Sequence, residues 1–350
     1  MAKFSFTMSK TEKLSDALLK EEKRDLFGEE DDLTPEEIAA LSPDEFVRVD
    51  YNAQEAERTG YSDYSYWRST VRAFMQNKLA VAMLAVIAVI LIFTFIQPYL
   101  PGQYDPNTIN NDPETGLQIM NQQPNSQFWL GTNNIGQDMW ARLWAGTRTS
   151  LFIGFTVALV NSVVGILLGM LWGYVRATDF FFTELYNVVS NIPITIIQIL
   201  VSYVLNPSVQ TIIVAMCFTG WLGMARFVRT RVLMIRDREF NLASRCLGSS
   251  TRYVIMKNLL PHMISVIILQ FALMIPGAIG SEVFLTYIGL GIPLETPSLG
   301  NLVNSGRALM MSPSLRYQLI YPALILSIIT VSFYMVGNAF ADASDPKNHR

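Results

Sequence analysis

Polar and apolar positions fall into long blocks along this chain. From Leu79 to Ile96 every side chain except Thr94 is apolar, and a helix needs about 20 such residues to cross roughly 30 Å of hydrocarbon. Pro98 and Pro101 stop that run. A mostly polar stretch, 98–149, follows, with turn signals at Asp105-Pro106-Asn107 and Asp112-Pro113-Glu114-Thr115-Gly116. Further apolar stretches at about 150–175, 184–205, 208–228, 260–285 and 318–340 bring the predicted spans to six. In lipid each backbone polar group must be satisfied within its own segment, so the pattern predicts an all-α polytopic membrane protein.

The flanks differ in kind. Residues 1–66 are rich in Glu, Asp, Ser and Lys and read as an acidic, partly disordered tail, with a helix start at Thr34-Pro35-Glu36-Glu37. Residues 67–78 place Trp67, Val71, Phe74 and Met75 against Arg68, Arg72 and Lys78. That is either an amphipathic lead-in at the membrane face or the first turns of the next helix. Residues 150–341 hold the five later spans, and 342–350 form a short polar tail.

Composition agrees with the pattern: 51% of the 350 residues are hydrophobic and 16% charged, which puts the bulk of the chain in lipid. Residues 1–70 carry 17 acidic and 9 basic side chains, leaving 12 acidic and 17 basic for the rest. The basic residues sit at the edges of apolar spans and not in a stripe with aromatics, which excludes a nucleic-acid surface. Between the fourth and fifth spans lie Arg226, Arg229, Arg231, Arg236, Arg238, Arg245, Arg252 and Lys257. The loop after the first span has only Arg142 and Arg148, and the loop before the last only Arg307 and Arg316. By the positive-inside rule the basic segment and both termini are expected in the cytoplasm. The start of the chain lacks the apolar core of a signal peptide, so the first span is expected to be its own insertion signal.

Chemistry-bearing residues are few. Cys217 and Cys246 make no disulfide framework and are expected as free thiols. His262 and His349 are too few for an ordinary zinc site, so no metal site is expected. A glycine-rich phosphate loop ending in Lys-Ser or Lys-Thr is missing, so the chain is not itself an ATPase. The spans also lack the paired acids, lysines or histidines of an ion-coupled carrier. Any energy input then comes from elsewhere.

Within the spans, Gly165, Gly169 and Gly173 recur every four residues, with Gly154, Ala158 and Ser162 in an earlier row. Such rows let helix backbones approach closely. Asn187, Asn191, Gln198 and Ser202 share the third span with Pro193. They face either a water-filled path or other helices through hydrogen bonds, because facing lipid is costly. Glu282, near the outer end of the fifth span, is either a structural hydrogen-bonding group or a path-lining charge. The segment from Gly131 to Ser150 is either an external platform or the structural lead into the second span. In it, Asp138 and Arg142 are spaced for an i,i+4 ion pair.

One motif stands out in the basic segment: Asp237-Arg238-Glu239-Phe240-Asn241-Leu242-Ala243-Ser244-Arg245-Cys246-Leu247-Gly248. Asp237 can cap a helix at about 238–248 that Gly248 ends in a left-handed conformation. Phe240, Ala243 and Leu247 then share an apolar face, suited to a groove on a partner. Ser250 or Thr251 can cap the helix that runs through Lys257 and Pro261 into the fifth span.

These residues carry a resemblance. Leu242-Ala243-Ser244, Gly248 and Leu260-Pro261 resemble the Glu-Ala-Ala loop of ABC-importer permeases, with Leu242 in place of Glu and Ser244 in place of the second Ala. Asn77-Lys78-Leu79-Ala80 is similar to the opening of the first span in oligopeptide and dipeptide permeases of the C type. Gly131-Thr132-Asn133-Asn134-Ile135-Gly136-Gln137-Asp138, followed by Arg142, Gly146, Arg148, Ser150 and Leu151, resembles their Gly-Thr-Asp-x-x-Gly-Arg-Asp segment, with Asn133 and Gln137 as departures. Gly289-Leu290-Gly291 with Thr296-Pro297-Ser298-Leu299-Gly300-Asn301 resembles the loop before their last span. Gly337-Asn338, Asp342 and Asp345-Pro346 resemble their C-terminal ending.

The resemblance covers about Trp67 to Pro346 and implies a type I ABC importer permease fold in the bacterial cell membrane. It implies that the cytosolic coupling helix docks an ATPase through Glu239, Phe240, Leu242, Ala243, Ser244, Leu247 and Gly248, with Pro261 in the framework. It implies a second homologous permease (OppB-like), two ATP-binding subunits (OppD/OppF-like) that hold ATP and Mg, an extracytoplasmic peptide-binding protein (OppA-like), and membrane lipid around the subunit. The chain itself is then a pore-forming subunit with no cofactor and no catalytic residue, and no nucleic acid among its partners. The same motifs suit permeases for dipeptides, nickel or another small solute. An intramembrane enzyme or channel-like scaffold is the rival from another class.

Overall fold

A computed structural model describes residues 66–344 of the chain. The expected acidic tail up to residue 65, its Thr34-Pro35 helix start, and Asp345, Pro346 and His349 lie outside the described residues. The regular elements among those described are all helices, with isolated bridges at Asn111–Gln118 and Thr132–Asp138 in a long loop.

Helix α1 (Tyr66–Gln76) is separate from α2 (Lys78–Ile96) and not its first turns. Asn77 ends the first and caps the second, its Oδ1 accepting from Ala80 N at 3.1 Å. A turn at Gln97–Tyr99 containing Pro98 closes α2 where the sequence placed the stop. Helix α3 (Met139–Tyr174) then runs 36 residues, starting well before the expected residue 150. Its early turns, Met139–Thr149, carry Arg142 and Arg148 and so hid from a hydropathy reading.

The expected third span is two helices. Helix α4 (Arg176–Ser190) and α5 (Ile194–Val204) meet at an 80° bend over Asn191-Ile192-Pro193. Proline has no N–H to donate, and it pushes the residue before it out of the helical region. At the other end α4 is fastened to the neighbouring α6 (Val209–Ile235). Arg229 pairs with Asp179 at 2.7 Å and lies over the Trp172 ring, and Arg226 bonds the Tyr186 hydroxyl. Among the described residues, five helices are long and apolar enough to cross a membrane, or six with the bent pair as one span.

A short α7 (Glu239–Cys246) leads to α8 (Thr251–Tyr287), which contains a π turn at Val254–Leu259. The turn lies just before Pro261. With no N–H at 261 and the ring crowding the carbonyl four residues back, the ladder widens by one residue. Helix α9 (Leu299–Ala308) is capped by Ser298, which accepts from Asn301 N at 3.0 Å, and α10 (Tyr317–Ser344) completes the fold.

Packing follows the small residues. A Cβ on Gly165 would lie 2.5 Å from Met224 Cβ, one on Gly173 2.8 Å from Val232 Cβ, and one on Gly154 2.9 Å from Ile279 Cγ1. Thus α3 lies in backbone-to-backbone contact with α6 and close against α8. The main core joins α2, α3, α8, α9 and α10 around Ile87, Leu151, Ile275, Ile279, Leu299 and Phe333. Phe93, Trp140, Trp144 and Trp129 form a run of edge-on ring contacts between α2, α3 and the outer loop.

The loop 100–138 is an ordered cap on this bundle. The Thr132 hydroxyl donates to Ile119 O at 2.6 Å, and the Tyr317 hydroxyl bonds the carbonyls of Gln122 (2.9 Å) and Thr132 (2.8 Å), tying the loop to α10. Gly131 has φ +75° with Gln122 O and the Tyr317 ring close to where a Cβ would stand. Gly131→Ala is therefore expected to destabilise the subunit by about 1–3 kcal/mol through the left-handed backbone and the crowding together. Thermal unfolding of the purified protein in detergent measures it. An unchanged midpoint would mean that the loop does not pack on α10.

Candidate functional site

The residues singled out by the sequence fall into three sets: the short α7, the polar groups of α4, α5 and α8, and the first turns of α3.

Helix α7 occupies residues 239–246 within the expected 238–248, and Gly248 takes φ +81° as its terminator, with Ser249 N bonding Ser244 O at 3.0 Å. The expected cap by Asp237 does not form. Arg236 (3.2 Å) and Arg245 (3.2 Å) hold the Asp237 carboxylate, and Arg238 takes the cap position with no side-chain bond. Desolvation, the largest single influence, pushes the Asp237 carboxyl up, but the hydrogen bonds and charges of Arg236 and Arg245 together outweigh it and keep the group below its ordinary range. Arg245 is thus engaged and not simply solvated.

Phe240, Leu242, Ala243 and Leu247 are all exposed, Leu247 at 87%. An apolar strip on a charged loop is what a docking face requires. The side of α7 facing the subunit is mainly polar, with Phe240 at its edge packing there as well. Asn241 is fully buried and its Nδ2 donates to Ile235 O at 2.7 Å. Ser244 Oγ accepts from Asn258 Nδ2 at 2.9 Å, and Phe240 stacks on His262. Glu239 lies in the first turn, and Pro261 stands just past the π turn. Ser250, as expected, caps the next helix, its Oγ accepting from Tyr253 N at 3.3 Å.

The polar residues expected together on the third span separate at the bend. Asn187 and Asn191 are exposed, with Asn191 Nδ2 donating to Asn187 O at 2.6 Å. Gln198 and Ser202 on α5 are buried, and Ser202 Oγ donates to Leu290 O at 2.7 Å. The 80° break turns the two faces apart, so the four do not share one lining.

Glu282 corrects the path-lining expectation, because it is 0% exposed within the subunit's own packing. Ser150 Oγ donates to its Oε2 at 3.0 Å and Thr286 Oγ1 to its Oε1 at 3.2 Å, while the Ser298 side chain and the Gly300 backbone also bond it. Ser150 in turn accepts from Leu299 N at 3.1 Å. The group welds α3, α8 and α9.

Asp138 and Arg142 do not pair. Asp138 caps α3, accepting from Trp140 N (3.4 Å) and Ala141 N (3.0 Å). Burial pushes its carboxyl above the ordinary value, against the pull of those two N–H groups. Arg142 reaches Gln137 Oε1 at 2.6 Å, Leu294 O at 3.0 Å, Pro106 O at 3.2 Å and Asn107 Oδ1 at 3.3 Å. Both are buried and brace the outer loop from beneath, so neither is itself a contact surface. Cys217 and Cys246 are unbonded, and among the described residues no group of three or more His, Cys, Asp or Glu could hold a metal.

Comparison with known proteins adds a lineage. Residues 165–350 match the family model of the binding-protein-dependent transport system inner membrane component. Residues 65–124 match the N-terminal TM domain of oligopeptide transport permease C. The oligopeptide transport system permease protein AmiD of Streptococcus pneumoniae is 33% identical over 313 residues, covering 89% of this chain and 100% of AmiD. The dipeptide transport system permease protein DppC of Bacillus subtilis is 34% identical over 321 residues, 91% of this chain and 98% of DppC. The oligopeptide transport system permease protein OppC of Bacillus subtilis is 33% identical over 300 residues, 85% of this chain and 94% of OppC.

Proposed function

The chain belongs to the binding-protein-dependent inner membrane transport components, as an OppC-like peptide permease of ABC transporters, and from that premise we propose that it forms one half of an oligopeptide path and docks one ATPase through α7. It is a multi-pass membrane permease of a peptide importer. The other half of the path is a second, homologous permease. ATP and Mg bind in the cytosolic partners, and an extracytoplasmic protein delivers the peptide.

A single observation carries this reading. Helix α7 presents an exposed apolar strip, Leu242, Ala243 and Leu247, between two membrane helices, in the segment richest in arginine, whose side of the bilayer is the cytoplasm by charge. Both termini lie on that same side. ATP binding draws the ATPases together and moves α7, and it does so only if nucleotide binds the two conformations differently. The exposed Asn187 and Asn191 at the bend between α4 and α5 are the polar groups offered to a water-filled path, where a broken helix is tolerated.

Ala243→Glu tests the docking. With the second permease and the ATPases co-expressed, the variant is expected to reach the membrane at normal level, to lose the ATPases on purification, and to cut peptide uptake at least about tenfold, since a charge then enters an apolar contact. Normal ATPase retention and uptake would remove α7 from the interface. Likeness to DppC, a dipeptide permease, sets the choice of substrate for the assay: labelled dipeptides and longer peptides compete in the same uptake experiment. Oligopeptide transport requires the longer ones to win.

A further inference from the structure

Helix α7 can transmit a push only if it does not swivel at its connection to α8. Its eight residues end in a turn through Leu247 to Ser250, where Gly248 takes φ +81° and nothing lies within 4 Å of where a Cβ would stand. Glycine leaves such a turn free to flex. The backbone alone therefore does not fix the angle between α7 and α8.

Two side-chain rungs cross that turn. Asn258 Nδ2 donates to Ser244 Oγ at 2.9 Å. The Phe240 and His262 rings stack with centroids 4.9 Å apart and planes 13° from parallel. Phe240 and Ser244 are four apart on α7, and Asn258 and His262 are four apart on α8, so each pair lies on one helical face. His262 Nδ1 also bonds Asn258 O at 2.7 Å, which joins the two rungs on the α8 side. Asn258 itself lies in the π turn at Val254–Leu259.

We propose that Ser244 and Asn258 are positioning residues whose hydrogen bond locks α7 to the root of α8, so that movement of α7 is delivered to the membrane and not lost at Gly248. The proposal rests on α7 being the ATPase-docking helix. Without the lock an ATPase still binds and hydrolyses ATP, but α7 swings about the glycine turn and the membrane helices lag.

The complete transporter, reconstituted in liposomes with its peptide-binding protein, gives the test. Peptide imported per ATP hydrolysed is measured for Ser244→Ala, Asn258→Ala and the double variant, together with the amount of ATPase retained. Retention should be normal in Asn258→Ala, whose residue lies off α7 and outside the docking set, and each single variant should lower the ratio about fivefold, the factor corresponding to one lost hydrogen bond. The double variant should be no worse than either single, because both remove the same bond. A ratio unchanged in the singles overturns the proposal, as do losses that multiply in the double. A merely structural role would lower yield, or hydrolysis and uptake in proportion, and leave the ratio where it was. Failure of the underlying reading shows elsewhere, as an ATPase that stays bound to the Ala243→Glu variant.

Discussion

Gly169→Val is expected to abolish folded subunit in the membrane, or to leave it unfolding about 10 °C lower in detergent. A Cβ at residue 169 would stand 2.5 Å from Ala225 O, 2.8 Å from Val228 Cβ and 3.0 Å from Ala225 Cα. Two of those three are backbone atoms, which cannot swing aside as a side-chain tip can. Relief requires α3 and α6 to separate, and Gly165 and Gly173 then lose their own close contacts on either side. Overpacking of this kind costs about 1–3 kcal/mol for added methylenes alone, and valine adds two branches against backbone. Gly223→Ala is the control: it lies on α6 but has nothing within 4 Å of where its Cβ would stand. Fluorescence-monitored gel filtration of the detergent extract and a melting curve measure both. Equal behaviour of the two variants would contradict the glycine seam.

Glu282→Leu is the second large effect. Leucine removes the acceptor to which Ser150, Thr286, Ser298 and Gly300 all turn, and leaves several buried donors without partners. Each unsatisfied donor costs about 1–3 kcal/mol. Peptide uptake and recoverable protein are expected to fall together, by more than about tenfold. Glu282→Gln sharpens the argument. An amide keeps the shape but turns an NH2 edge, a donor, toward groups that themselves donate. It is therefore expected to lie nearer to leucine than to the native residue in its melting temperature. Wild-type stability in Glu282→Gln with lost transport would instead return the carboxylate to the path.

The spans were legible because lipid imposes a crude rule: a run such as Leu79–Ile96 has one reading. What escaped was wherever a helix leaves lipid or breaks inside it. The early turns of α3 are buried by the loop 100–138, and so Arg142 sits in protein where hydropathy expects water. Helix α4 begins with Arg176 and Asp179, and its partner Arg229 is 50 residues away, so local sequence gave no sign of its attachment. Pro193 stood inside a stretch read as one span, 184–205, so neither the break nor its 80° size was expected. In the arginine-rich segment, the left-handed Gly248 and the Ser250 cap were readable because both are local. Asp237 misled because Asp is a good cap in isolation, whereas here Arg236 and Arg245 compete for it. Glu282 escaped for the same reason as Arg142. Its partners Ser150 and Ser298 come from other helices, one of them 132 residues away.

The length of α3 has a consequence of its own. At 36 residues it rises about 54 Å, against roughly 30 Å of hydrocarbon, so more than a third of it stands clear of the acyl chains. Its outer turns are clamped by Arg142 and its inner end, at Gly173, by Arg236. A tilt of about 5° around the bilayer midplane therefore displaces the outer tip by about 2 Å, given a half-length of about 27 Å. The cap over one end of α3 and the turns at its other end share one helix, so a local change in bilayer thickness that tilts it is felt at both.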